Sequence, residues 1–341
     1  MAYDKSGIKK AGGIKKKRNL RILNILGIFG ALIVLVIIFS LLSKTFLTPN
    51  NILVITLQVA VYATLACGVS FVLIIGGAEL SAGSILGLSG VVFALTLRNG
   101  VPVLAAILLS IITGALCGIF NGFLVTKMNL IPFIATLGTQ YMFRGLTQIF
   151  SGGNSVAIRS AASEADLGII ETIGSGKIFG FIPMPTIIML IFAVILTVVL
   201  STTTLGRKLF ATGSNREAAR LSGINTQLIT IIAYSFSGLM AGIAGVVLTS
   251  RLLSAQPTAG IGYELEGIAA SVIGGVSMMG GEGSVPGAVL GAFIIGVMRN
   301  GLNLLGVNVY WQNFVMGAII ILAVYFDLTR RRRELNNKKE K

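Results

Sequence analysis

Long apolar runs dominate this chain, at about residues 22–42, 52–75, 101–125, 130–150, 182–203, 224–249 and 309–327. Each is about twenty residues long, enough to carry an α-helix across the ~30 Å hydrocarbon core of a bilayer. The residue balance agrees: 54% are hydrophobic, 11% are charged and the mean hydropathy is +0.89. A soluble domain of this length carries more charge and shorter apolar runs. The expected fold class is an all-α polytopic membrane protein. Three weaker runs, 84–97, 264–276 and 285–300, bring the transmembrane helices to about ten, with eight or nine as alternatives. Run 84–97 covers only about 21 Å as a helix, so it reads as a half-span or as a helix whose start is frayed by the preceding glycines. An even count puts both termini on one side.

Charge tests that arrangement. Of the 27 Lys and Arg, eight lie in residues 1–21 and seven in the C-terminal "RRRRELNNKKEK". With Lys127 and the four in 202–223, the side of the termini holds twenty. The other side holds six, Lys44, Arg98, Arg159, Lys177, Arg251 and Arg299, while Arg144 falls within a span. Cytoplasmic segments carry the excess of Lys and Arg, so both termini are expected inside. The chain then divides into a basic tail (1–21), one transmembrane domain (22–327) and a second basic tail (328–341). Within the domain, 151–181 is an outer loop and 202–223 a cytoplasmic one. The first apolar run has no small-residue cleavage site before or within it and reads as a retained span. The net charge of +15 therefore marks topology and attraction to anionic lipid headgroups, not nucleic-acid binding.

The residue inventory leaves little room for catalysis. The chain has no histidine, and its two cysteines, Cys67 and Cys117, fall inside apolar runs as small hydrophobes. No zinc site, disulfide framework, Ser/His pair or paired aspartates in the spans can be assembled. The "GSGK" at 174–177 fails as a phosphate-binding loop, because Glu171 stands where that motif needs glycine and Ile178 where it needs Ser or Thr. Energy from ATP has to enter through a partner.

Glycines recur at four-residue spacing: Gly83/Gly87, Gly114/Gly118/Gly122, Gly238/Gly242 and Gly287/Gly291. This spacing lines one helix face with small residues and lets helices approach closely. A weak internal echo joins "IIGGAELSAGSILGLSG" at 74–90 to "VIGGVSMMGGEGSVPGAVLG" at 272–291. Each passes from an apolar stretch through two glycines and a break into a small-residue helix, so each half is expected to hold a broken, glycine-rich helix, as transport pathways often do. Between two long spans, "TTTLGRKLFATGSNREAARLSG" at 202–223 is polar. Ser214 followed by Glu217 forms a capping-box pattern, and Gly223 stops the short helix it begins. By composition alone, that segment is either a solvated topological loop or a surface helix.

Several motifs carry a family resemblance. Ala211, Gly213, Asn215, Ala218, Ala219, Ser222, Gly223 and Ile224 fit the pattern A-x-G-x-N-x-x-A-A-x-x-S-G-I. "GGAELSAGS" at 76–84, "IPFIATLGTQYMFRGL" at 131–146 and "GGEGSVPGAVLGAFIIGVMRNGLNLLG" at 280–306 stand in the same order as in the ribose-type ABC importer permeases, which the chain resembles over about residues 20–330. Glu79 and Ala82 replace the Asp and Val more usual there. The resemblance implies a multi-pass subunit of a bacterial cytoplasmic membrane that passes a monosaccharide. It also implies a second permease subunit, two cytoplasmic ATP-binding subunits and an external substrate-binding protein, with ATP held by the partner and no cofactor in this chain. The 202–223 segment then resembles a coupling helix, carried by Asn215, Arg216, Glu217, Ala218, Ala219 and Gly223.

Polar groups in spans tend to face partners or a cavity. Gln58, Glu79, Asn121, Gln140, Arg144, Asn300 and Asn303 are the candidate pathway residues, with Gln148 as a further one. Glu264 and Glu266 read as the acidic first turn of a helix. Two other readings stay open. An ion-driven secondary transporter would want mid-span carboxylates, which are nearly absent; an ABC permease for a branched-chain amino acid or nucleoside differs only in its ligand.

Overall fold

The structure is a computed structural model that describes residues 25–159 and 163–339; the basic segment 1–21 lies outside them. It is mainly helical. The helices are α1 (Ile25–Leu42), α2 (Pro49–Ile74), α3 (Ala82–Arg98), α4 (Val103–Thr126), α5 (Pro132–Ser151), α6 (Glu164–Ser175), α7 (Met184–Thr202), α8 (Thr204–Ser214), α9 (Arg216–Leu221), α10 (Thr226–Leu252), α11 (Tyr263–Ile273), α12 (Val285–Leu304) and α13 (Val309–Lys339). Proline at the first turn starts α2, α5, α7 and α12, where its fixed φ suits the helix and its missing N–H costs nothing.

Among the described residues, seven helices are long and apolar enough to cross a membrane: α1, α2, α4, α7, α10, α12 and α13. Two expectations change. The 130–150 run, read as a strong span, forms a full-length helix but misses this set, because Thr136, Thr139, Gln140, Arg144, Thr147 and Gln148 lower the hydropathy of α5. The 285–300 run, read as weak, joins it, because α12 continues to Leu304. Helices α3 and α11 are short, 17 and 11 residues, and buried within the bundle. Beyond the candidate span, α13 continues into the basic 328–341 segment as far as Lys339.

Helices α2 and α10 form the centre, and α1 and α13 are largely exposed. The spaced glycines bring helices together as expected. A Cβ at Gly114 would lie 2.9 Å from the Gly242 Cα, and one at Gly122 would lie 2.7 Å from the Ile231 Cα, so α4 and α10 meet backbone to backbone.

The 202–223 and 151–181 segments lie at opposite ends of the bundle. At the first end, Lys127 Nζ donates to Gln227 Oε1 (3.2 Å), Ile28 of α1 sits beside Gly275, and Ser277 Oγ donates to Asp327 of α13 (3.3 Å). At the other end, the 151–181 segment holds regular structure. Its strand β1 (Val156–Ala157) pairs antiparallel with β4 (Ser254–Ala255), α6 is capped by Ser163, and β2 (Lys177–Ile178) and β3 (Ile182–Pro183) form a hairpin.

Candidate functional site

The polar segment folds into two helices. Thr203 caps α8, its hydroxyl accepting from Gly206 N, and this first helix was not expected. The capping assignment moves by one residue: Ser214 is the last residue of α8, and extended Asn215 caps α9 by accepting from Ala218 N at 2.9 Å. Asn215 wins because its backbone has left helical geometry while Ser214 still shares in α8. Glu217 turns instead to Arg220 at 2.7 Å, where both side chains are exposed. At the far end, Gly223 takes φ +82°, and Ile224 N donates to Ala219 O at 3.1 Å. This left-handed closure is one that glycine adopts without a Cβ clash. Ala219 is buried, so α9 presents Arg216, Glu217, Ala218 and Arg220 outward. A concavity of about 740 Å³ lies between them and the α4–α5 loop, walled by Asn129, Pro132 and Asn225.

Behind this surface, three backbones converge. Gly213 of α8 lies against Ile74 O, and Gly281 N donates to the same carbonyl at 2.8 Å. The two echoing sequences thus become two breaks, 75–81 and 274–284, that touch each other and α8. Inside the first break, Glu79 and Asn121 come together. The fully buried Glu79 carboxylate accepts from Ser81 N (2.7 Å), Ser81 Oγ (2.6 Å) and Asn121 Nδ2 (3.1 Å). Next to it, Ala78 O accepts from Tyr234 of α10 at 2.9 Å and from Thr136 of α5 at 3.3 Å. Three helices, α4, α5 and α10, are therefore tied to one short break. Ser81 and Tyr234 were missed, because a serine or tyrosine in an apolar run carries no signal of its partner.

A second polar assembly forms at the opposite end. Arg144 Nη1 donates to Pro257 O (2.9 Å) and Ala259 O (2.6 Å). Gln140 donates to Glu264 (3.1 Å), which also accepts from Gly262 N (3.2 Å). These bonds hold the 256–262 segment as one wall of a cavity of about 390 Å³, into which Gln58 of α2 also projects. Glu264 and Glu266 do begin α11, yet both are buried, and Glu266 pairs with Arg299. Arg299 belongs to α12 rather than to an outer loop.

The remaining candidates lie elsewhere. Asn300 pairs reciprocally with Asn51 at 2.9 Å in a buried contact between α12 and α2. Asn303 is exposed near the end of α12, beside a small hollow formed with 306–310. Gln148 is exposed near the end of α5.

Residues 51–324 match the family described as branched-chain amino acid transport system / permease component. The chain belongs to that permease family. It is 45% identical to the ribose import permease of Bacillus subtilis over 302 residues, 89% of this chain and 92% of that protein. It is 42% identical to the D-allose transport system permease of Escherichia coli over 303 residues, covering 88% and 90%. With the fructose import permease of Rhizobium meliloti it shares 35% over 290 residues, 84% and 80%. The ribose-type resemblance read from the motifs therefore holds: this is a multi-pass ABC importer permease subunit of a bacterial cytoplasmic membrane. The family description names one ligand class and the relatives another, so membership alone does not fix the ligand.

Proposed function

We propose that this permease forms the passage for a monosaccharide, delivered by an external binding protein and driven by ATP hydrolysed on a partner. The observation that carries the reading is the junction of α8 and α9 with the two breaks. A surface helix, α9, with exposed Arg216, Glu217 and Arg220 sits beside a concavity, and the adjoining α8 rests through Gly213 directly on the broken helices. Charges at such a rim orient a partner, and small residues allow close docking. Asn215, Arg216, Glu217, Ala218, Ala219 and Gly223 form the coupling element in this reading, and this chain itself catalyses nothing. Two permease subunits and two ATP-binding subunits would make the complete importer.

Ten spans and cytoplasmic termini complete the arrangement, with α5 and the short helices α3 and α11, each extended by the break beside it, crossing inside the assembly, where a polar surface meets protein rather than lipid. The gathering of α1, α13 and the coupling segment at one end supports this, as does the excess of Lys and Arg there. Close identity to sugar permeases favours a sugar over a branched-chain amino acid.

The test is uptake into proteoliposomes holding the permease with its ATP-binding and binding-protein partners. Labelled ribose, allose and fructose are compared with leucine, with and without ATP. Sugar accumulation that needs ATP supports the reading. Accumulation by the permease alone under an ion gradient would replace it with secondary transport, and uptake of leucine alone would replace the ligand.

A further inference from the structure

The cavity opposite the coupling end is walled by groups that the coupling mechanism leaves without a task. Tyr62 and Tyr263 place their rings edge to face, centroids 4.9 Å apart; Tyr62 is buried behind, and the part-exposed Tyr263 ring is the one that meets the cavity. Gln58, Arg251, Gln256 and Thr258 add polar groups around it. Both Nε2 hydrogens of Gln256 have acceptors, Ser155 Oγ at 2.9 Å and Ser254 Oγ at 3.2 Å, which turns its Oε1 into the group left to accept from a ligand. The wall is tied at two points: Arg144 of α5 donates to its Pro257 and Ala259 carbonyls, and the β1–β4 pair joins its start.

We infer that this vestibule is a monosaccharide-binding station within a single permease subunit, the first contact of the sugar after its release from the binding protein. The inference rests on the sugar reading above. A pyranose or furanose ring has apolar C–H faces and a rim of hydroxyls that both donate and accept. The Tyr263 ring suits such a face, and amide, hydroxyl and guanidinium groups suit the rim. The volume, about 390 Å³, lies near the small end of the ~300–1,000 Å³ typical of small-molecule sites, which fits a single sugar unit. The charge pattern argues against an amino acid: Arg251 can meet a carboxylate, but among the described residues no acidic side chain lines the cavity to meet an ammonium group. Glu264 and Glu266 are buried behind the wall, engaged with Gln140 and Arg299.

A thiol reporter tests this. Ile261 is 63% exposed on the rim, and Ile261→Cys would be labelled with a membrane-impermeant maleimide in the permease–ATPase complex, without binding protein. The native Cys67 and Cys117 are buried. D-ribose, D-allose or D-fructose should slow labelling about threefold at twice its Kd, leucine should not, and the protection should vanish in I261C combined with Tyr263→Ala or with Gln58→Ala. Sugar uptake by the complete I261C importer without protection by any of the three would overturn the vestibule while leaving the sugar reading standing. Protection that survives both Tyr263→Ala and Gln58→Ala would also overturn it, as an indirect effect. Leucine uptake with leucine protection would overturn the ligand class in both.

Discussion

Replacing Gly213 by alanine tests whether coupling passes through backbone contact. A Cβ at this position would strike the Ile74 carbonyl and lie 2.7 Å from Gly281 N. Both obstacles are main-chain atoms, one at the end of α2 and one in the second break, so no side chain can swing aside. Overpacking a tight site costs about 1–3 kcal/mol. Against this, alanine favours a helix interior over glycine by up to ~1 kcal/mol, and less here because residue 213 is one position from the end of α8. The net is about 1–2 kcal/mol against the packed arrangement, a factor of about 5–30 in its population. In proteoliposomes, Gly213→Ala should lower sugar uptake per ATP hydrolysed by about tenfold, and Gly213→Val should lower it further. Gly317→Ala on α13, where an added Cβ meets nothing within 4 Å, is the control and should import normally. Wild-type uptake and an unchanged Tm in Gly213→Ala would refute the argument, because the added atom would then have found room.

Other variants probe separate contacts. Asn215→Ala removes the α9 cap and about 0.5–2 kcal/mol of local stability; it should weaken binding of the ATP-binding subunit to nanodisc-held permease, while Ser214→Ala should not, and the reverse order would return the cap to Ser214. Gly223→Val forces a β-branched residue into φ +82° at a cost of order 1–3 kcal/mol; with Glu217→Arg, which sets like charge beside Arg220, it should uncouple transport while membrane insertion stays intact. Arg299→Met leaves the Glu266 carboxylate buried without its partner, a loss of about 3–5 kcal/mol that should lower the Tm in detergent; adding Glu266→Leu should restore most of it. Glu79→Ala strands the donors of Ser81 and Asn121, each costing about 1–3 kcal/mol, whereas Glu79→Gln keeps an acceptor for them; equal uptake in the two variants would show that the clasp on the break does not matter.

Much was legible before any coordinates. Apolar length exposed the spans because a bilayer imposes one length on every helix that crosses it. Glycine spacing showed which faces would pack, since four residues return to the same side of a helix, and the α4–α10 contact obeys it. The polar segment stood out because charge is scarce, and its glycine stop at Gly223 follows from backbone sterics. Boundaries read less well: Ser214 and Asn215 are both good caps, and only the backbone geometry at the α8–α9 joint separates them.

The candidate residues were polar letters in apolar text, and that signal marks a side chain as needing a partner without naming it. Asn121 finds Glu79 across 42 positions, Asn300 finds Asn51 across 249, and Gln140 finds Glu264 across 124. Glu266 and Arg299 looked like a helix-start charge and a loop charge until the packing of α11 on α12 joined them. The sequence alone determined the class of protein and its long apolar helices, because these follow from local composition and periodicity. Tertiary structure alone decided which breaks touch, which charges pair and where the vestibule opens, because those contacts join residues far apart in the chain and depend on how whole helices dock.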